Sequence, residues 1–139
     1  MKKTFYAVLL VLVGLSSNSC DLKDDGPNFN FVPIQITEVE IPESFELNKV
    51  YNIDVTYVLP DGCTNFEGFD FTKPELTTRT IVVIGAKRTD LDACTEIATE
   101  GVATINFEVL YEQPYLFKFW QNENADGEQQ YIEIEVPVN

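Results

Sequence analysis

From residue 30 onward, apolar residues recur at alternate positions and turn-forming residues interrupt the pattern at short intervals. The clearest run contains Tyr51, Ile53, Val55 and Tyr57, which alternate with polar residues. Such alternation is typical of β-strands with one buried face. Because no long stretch follows the helical period, the chain predicts an all-β domain.

The strand pattern is dense enough to suggest an architecture. Strands are expected near residues 32–41, 50–59, 66–71, 80–84, 105–109, 115–120 and 130–136. In the first strand the apolar parity changes around Thr37-Glu38, which predicts a β-bulge or a change of sheet. One short helical turn is expected between Leu91 and Thr99. Seven short strands in a single domain predict a Greek-key β-sandwich.

One motif supports this architecture. Leu110-x-x-x-x-Tyr115-x-Phe117 resembles the tyrosine corner of immunoglobulin-like and fibronectin-type domains. That resemblance implies that the Tyr115 hydroxyl ties its strand to the preceding loop. No Cys or Trp occupies the antibody-domain core positions, so the resemblance concerns the fold and implies no activity.

The N-terminus has the composition of an export signal. Lys2 and Lys3 precede an apolar run over residues 5–15, which is shorter than the roughly 20 residues that a spanning helix needs. Small polar residues then lead to Cys20. Residues 1–19 resemble a bacterial lipoprotein signal peptide, which implies diacylglycerol and a fatty acid on Cys20. The motif is loose, since Ser17 and Ser19 replace the usual Leu and small apolar residue. Ordinary cleavage at the same bond is the alternative.

The residues after Cys20 refine the expected location. Lys23-Asp24-Asp25 resembles the export tag of Bacteroidota surface lipoproteins, and a solvated acidic linker is the alternative. Residues 20–29 would then be a lipidated tether and residues 30–139 the β-sandwich domain. The expected location is the outer membrane, lipid-anchored through Cys20 and exposed at the cell surface.

Cysteine parity agrees with lipidation. The chain contains Cys20, Cys63 and Cys94, an odd number for an oxidising compartment. If Cys20 is modified, Cys63 and Cys94 remain to form a disulfide between two loops at the same end of the domain. A redox-active pair is the alternative, but the spacing lacks the CxxC arrangement that lowers a thiol pKa.

Charge and composition exclude several function classes. The formal net charge is −14, and loss of Lys2 and Lys3 with the leader makes it more negative. Such a surface repels nucleic acid and anionic lipid headgroups. The absence of histidine removes Ser-His-Asp and Cys-His catalysis. With 45% hydrophobic residues, the chain is not a disordered acidic tail.

The last two strands contain a candidate binding patch. A register that pairs Phe119 with Ile132 also places Trp120 opposite Tyr131, on the outer face. Cross-strand aromatic pairs stabilise a hairpin by roughly 0.2–1 kcal/mol, so the pair has a structural explanation. An outward Trp beside a Tyr also stacks on sugar rings or anchors partner proteins.

The loop between these strands contains a weak calcium motif. Asn122, Asn124, Asp126 and Glu133 match the spacing of an EF-hand-type loop. Asn122 replaces the usual Asp and Glu133 is expected in a strand, so an ordinary Asp-Gly hairpin turn is the favoured interpretation. No metal or other cofactor is therefore expected.

These features predict a non-enzymatic binding or structural module. A glycan or another envelope protein is the candidate partner, besides the membrane reached through Cys20. One alternative is a periplasm-facing accessory lipoprotein that contacts an envelope protein through an exposed strand edge. A small carboxylate-dependent hydrolase is a remote alternative, because nothing in the sequence marks one pair of carboxylates.

Overall fold

The structure, a computed structural model, describes Gly26 and residues 28–139. Seven β-strands and no helix occupy this part of the chain, which confirms the all-β prediction. No helix that could cross a membrane occurs among these residues. The strands are β1 (Phe29–Glu40), β2 (Val50–Leu59), β3 (Thr64–Thr72), β4 (Thr78–Arg88), β5 (Thr99–Glu108), β6 (Tyr115–Glu123) and β7 (Gln129–Val136).

All seven strands are hydrogen-bonded in one sheet. The order is β5-β2-β1-β4-β6-β7, and β3 pairs with the other edge of β4. Neighbouring strands are antiparallel except β4 and β6, which run parallel over a short stretch. β1 and β6 therefore share one edge of β4, and β3 occupies the opposite edge.

β1 joins the two halves of the sheet. Its first residues, Phe29 to Ile34, pair with β4, and its later residues pair with β2. The register shifts between Ile36 and Glu38, so the predicted bulge is confirmed. The bulge changes the strand's direction and the face it buries, which allows one strand to complete both ladders.

The two halves of the sheet contact each other through aromatic side chains. The ring of Tyr57 on β2 stacks 5.1 Å from that of Phe66 on β3. Phe107 on β5 lies 5.1 Å from Phe117 on β6, in an edge-to-face arrangement. Offset and edge-to-face pairs contribute about 0.5–1.5 kcal/mol each beyond the area they bury. The core of the domain thus lies between the β2–β5 half and the half built on β4.

Tyrosine hydroxyls fasten two loops to this core. The Tyr115 side chain is fully buried, and its hydroxyl accepts hydrogen bonds from the backbone N–H groups of Leu110 and Tyr111, each 3.1 Å long. These are the contacts that the tyrosine-corner resemblance implies. Tyr51 repeats the arrangement, since its hydroxyl accepts a 2.9 Å hydrogen bond from the Glu46 N–H five residues upstream.

The disulfide between Cys63 and Cys94 is present, with Cα atoms 5.4 Å apart. It connects the start of β3 to the β4–β5 connection, as expected. The helical turn predicted between Leu91 and Thr99 is wrong, because this segment is irregular. Its carbonyl at Thr95 accepts a hydrogen bond from the Gly62 N–H. The segment is thus held against the β2–β3 turn and not by bonds within itself.

Candidate functional site

The β6–β7 hairpin has the register expected from the sequence. Phe117 pairs with Ile134 and Phe119 pairs with Ile132, with both phenylalanines fully buried. On the other face, Trp120 lies opposite Tyr131. The alternation of side chains across the pleat fixes this arrangement, because a slip by one residue would expose every buried aromatic.

Trp120 and Tyr131 have separate polar partners. The Trp120 Nε1–H donates to Gln129 Oε1 at 2.6 Å. Lys118 Nζ lies 5.0 Å from the centre of the Tyr131 ring and 3.3 Å from a Glu133 carboxylate oxygen. The cation over the ring and the cross-strand ion pair account for the position of Tyr131 without a ligand.

Trp120 also forms one wall of a groove that reaches across the sheet. The groove has a volume of about 330 Å³ and lies where β6 approaches β1 and the end of β2. Its lining consists of Pro33, Ile34, Gln35, Val58, Pro60, Trp120, Gln121 and Asn122. Apolar rings beside side-chain amides form a surface suited to a neutral, partly apolar ligand. The structure therefore brings Trp120 together with β1 and β2 residues, while Tyr131 lies outside this lining.

The four residues of the calcium motif lie in the strands and the turn of the β6–β7 hairpin. Asn124 Oδ1 accepts hydrogen bonds from the N–H groups of Asp126 and Glu128, both 2.9 Å long. Glu133 lies on β7 opposite Lys118, and Asn122 pairs with Gln130. Gly127, at φ 80°, supplies the left-handed residue that closes the turn. These contacts are those of an Asx-type hairpin turn.

At the disulfide end, Asp61 organises a small polar cluster. One carboxylate oxygen accepts hydrogen bonds from the Cys63 N–H (3.0 Å) and the Thr64 hydroxyl (2.8 Å). The other lies 2.9 Å from Lys87 Nζ. The hydrogen bond from Lys87, followed by that from Thr64, lowers the pKa of Asp61 below its ordinary value. The cluster joins the β2–β3 turn to the end of β4.

The carboxylates with shifted pKa values do not suit acid catalysis. The Arg88 guanidinium, hydrogen-bonded at 2.8 and 3.0 Å, lowers the pKa of Asp90 as Lys87 lowers that of Asp61. A general acid in a glycosidase needs the opposite shift. In residues 28–139, no group of three or more His, Cys, Asp or Glu side chains is arranged to hold a metal ion.

One unusual side chain was missed by the sequence interpretation. Arg79 on β4 is only 3% exposed and lines a second groove, between β3 and β5. Its position could have been found, because Arg79 shares the inward parity of Ile81 and Val83. The sequence pattern predicts a strand that begins at residue 80, so Arg79 falls one residue outside the predicted strand.

The structure does not describe the candidate residues for lipidation and export. The lipidation candidate Cys20 and the export-tag residues Lys23, Asp24 and Asp25 lie outside the part of the chain that the structure describes. They remain predictions from the sequence.

Comparison with known proteins supplies no relative. The chain matches no protein-family model, no curated protein and no solved structure.

Proposed function

We propose that the chain is a lipid-anchored, surface-exposed binding module of a bacterial outer membrane. The leader ending at Cys20 and the Lys23-Asp24-Asp25 segment support this location. Several acyl chains on Cys20, at about 0.8 kcal/mol per buried methylene, would hold the protein firmly to the bilayer.

Protease treatment of intact cells tests the location. The parent is compared with a variant in which Lys23, Asp24 and Asp25 are all Ala. Cleavage of the parent and protection of the variant is the expected result. Protection of both proteins would place the domain inside the envelope and favour the periplasm-facing alternative.

We further propose that the domain is an immunoglobulin-like Greek-key sandwich. Two observations support this interpretation: the Tyr115 hydroxyl bonds to the preceding loop, and aromatic rings pack between the β2–β5 half and the β4 half. In this view the β1 bulge is the point at which one strand passes from one layer to the other. An experimental structure in which the strands form one open sheet, without two layers packed face to face, would overturn this proposal.

The binding surface that we propose is the groove beside Trp120, and its ligand is a neutral glycan. The observation that supports this choice is the partly buried Trp120 indole, which lines the groove together with Pro33, Pro60 and side-chain amides. Aromatic faces stack on sugar rings, and amides exchange hydrogen bonds with sugar hydroxyls. A net charge of −14 disfavours acidic glycans. The module carries out no reaction in this proposal.

Retention on an array of neutral oligosaccharides tests the binding surface. Trp120→Ala should abolish retention and leave the circular dichroism spectrum unchanged. Tyr131→Ala is the matched control, since Tyr131 lies on the same hairpin but outside the groove lining. Equal loss in both variants, or no retention of the parent, would contradict the proposal.

A second candidate function is strand addition at β5. This strand ends the sheet and pairs only with β2, among the strands that the structure describes. Val102 on it is 62% exposed. An unpaired edge can accept a strand from another envelope protein. Crosslinking to one envelope protein, lost when Val102 and Thr104 are both changed to Pro, would support this function. Crosslinking unaffected by those changes would exclude it.

A further inference from the structure

Arg79 is a buried cation on the inner face of a β-strand. It lies at the start of β4, two positions before the fully buried Ile81. Its guanidinium carbon lies 5.1 Å from the centre of the Tyr115 ring and 6.0 Å from that of Phe107. Removing a charge from water is strongly unfavourable unless hydrogen bonds or an opposite charge compensate it. The positive charge of the buried guanidinium must therefore be offset by hydrogen bonds or by an opposite charge.

Hydrogen bonding satisfies only one end of the guanidinium. Nη1 donates to the carbonyl oxygens of Thr78 (2.8 Å), Leu76 (3.0 Å) and Glu75 (3.4 Å). The buried Nε–H has no partner in the described part of the chain. Nε and Nη2 form the edge that binds a carboxylate through two parallel hydrogen bonds. Thus one donor on this bidentate edge, the Nε–H, is left without a hydrogen-bond partner in the described part of the chain.

No carboxylate of residues 28–139 forms an ion pair with Arg79. Of the other five cations in residues 28–139, three have an Asp or Glu partner, namely Lys87, Arg88 and Lys118, while Lys49 and Lys73 are unpaired but exposed to solvent. Arg79 lacks one although acidic residues outnumber basic ones by 23 to 9 in the chain. Neutral carbonyl oxygens and aromatic faces offset its charge only in part.

Arg79 is one of the residues that line a groove of about 440 Å³, which is within the size range of small-molecule sites. Apolar side chains supply most of the lining, and Lys73 adds a second cation. The lining residues are Phe69, Phe71, Lys73, Arg79, Ile105, Asn106, Phe107, Glu108 and Leu110. None of them belongs to the Trp120 groove. The two grooves are therefore separate sites.

We propose that this groove binds a small aromatic or aliphatic carboxylic acid. The apolar body of the ligand packs on Phe69, Phe71 and Leu110. The lining side chains shift to let its carboxylate reach the Nε–Nη2 edge of Arg79, because Nε is buried in the ligand-free structure. The carboxylate also lies within the field of Lys73. Burial of the ligand strengthens this ion pair, because water that would screen it is displaced.

The surrounding charges favour a monoanion over a polyanion. Glu108 lines this groove, and Glu75 lines the adjoining depression that also contains Arg79. A single carboxylate meets two cations against these two acids, whereas a phosphate dianion would meet stronger repulsion. The groove therefore selects an apolar acid.

Titration of the full chain with 4-phenylbutyrate tests the site, with 4-phenyl-1-butanol as the uncharged counterpart. Amide chemical shifts of β3, β4 and β5 should change in a saturable manner with the acid. Binding of the alcohol should be roughly tenfold weaker or more, since a charge-assisted bidentate pair is lost. Equal affinity for acid and alcohol, or no saturable change with the acid, would overturn the proposal.

Two variants assign the effect to the cations. Arg79→Met should keep the fold and lose the preference for the acid. Lys73→Ala, a change at an exposed residue, should weaken the acid several-fold, while Lys118→Ala on the hairpin should not. An unchanged preference in folded Arg79→Met would make Arg79 a purely structural residue. If Arg79→Met does not fold, the comparison of acid and alcohol on the parent and on Lys73→Ala decides the question.

Discussion

The hydroxyl oxygen of Tyr115 lies 3.1 Å from the backbone nitrogen of Leu110, five residues before it in the chain. The same oxygen accepts a second hydrogen bond from Tyr111. One fully buried side chain thereby satisfies two N–H groups of the loop between β5 and β6. A loop that would otherwise bring unpaired donors to the edge of the core is fixed in one conformation.

Tyr115→Phe should destabilise the domain by about 1–3 kcal/mol, because two part-buried N–H groups lose their acceptor while the ring packing is retained. The free energy of unfolding in urea measures this loss. Tyr131→Phe is the control, since Tyr131 lies on the outer face of the hairpin. A loss for Tyr115→Phe no larger than for this control would contradict the structural role of the hydroxyl.

Reduction of the Cys63–Cys94 disulfide should lower the free energy of unfolding by roughly 2–4 kcal/mol. The bond spans 31 positions, and cross-linking a loop of this length restricts the unfolded chain. Urea unfolding with and without dithiothreitol isolates the bond, whereas Cys63→Ala would also remove a buried sulfur. An unchanged urea midpoint would mean that the bond does not stabilise this domain.

Acid should weaken the polar cluster around Asp61. The pKa of this carboxyl is lowered in the folded state by its hydrogen bonds with Lys87 and Thr64. Its contribution is therefore present above the ordinary Asp pKa of about 4 and is lost as the pH falls through the lower, folded-state value.

Asp61→Asn tests this dependence, since the amide keeps an acceptor for Cys63 and Thr64 but removes the charge. The parent should be more stable than the variant at neutral pH, and the difference should shrink toward zero in acid. Thermal unfolding across this range provides the measurement. A difference that stays constant with pH would show that the charge makes no contribution.

Gly101→Ala should be destabilising by about 1–3 kcal/mol through overpacking. A Cβ atom at this position would lie 2.6 Å from the Tyr57 ring, and Tyr57 itself stacks on Phe66. Gly68→Ala is a matched control on β3, where no atom lies within 4 Å of the added Cβ. Equal melting temperatures for the two variants would indicate that Tyr57 moves aside freely.

Much of the sheet could be predicted from local patterns. The alternation of apolar and polar residues along β2 predicts its bounds, Val50 to Leu59, because every second side chain of a strand with one buried face points into the core. The pairing of Trp120 with Tyr131 followed from matching buried faces across one short connection. Such features depend on residues close in sequence.

Features that depend on contacts between segments distant in sequence are harder to predict from local patterns. The local sequence around Ile97 predicts a helical turn, but the disulfide and the hydrogen bond with Gly62 impose an irregular path. The groove around Arg79 combines β3, β4 and β5, so no single window of sequence contains it. Likewise the Trp120 groove needs Pro33 and Pro60, which local analysis of the hairpin does not include.

The position of β1 has a mechanical consequence. It is the first strand after the segment that we propose to be the tether, and it is hydrogen-bonded to β4 and then to β2. Drag on the domain, transmitted through an N-terminal anchor, would reach this strand before any other. Because β1 pairs with β4 through Phe29–Ile34 and with β2 only from Gln35 onward, the load would reach the β4 ladder first and the β2 ladder after it. In a protein tethered as we propose, the pairing of β1 with β4 would therefore be the first part of the sheet to resist a pulling force.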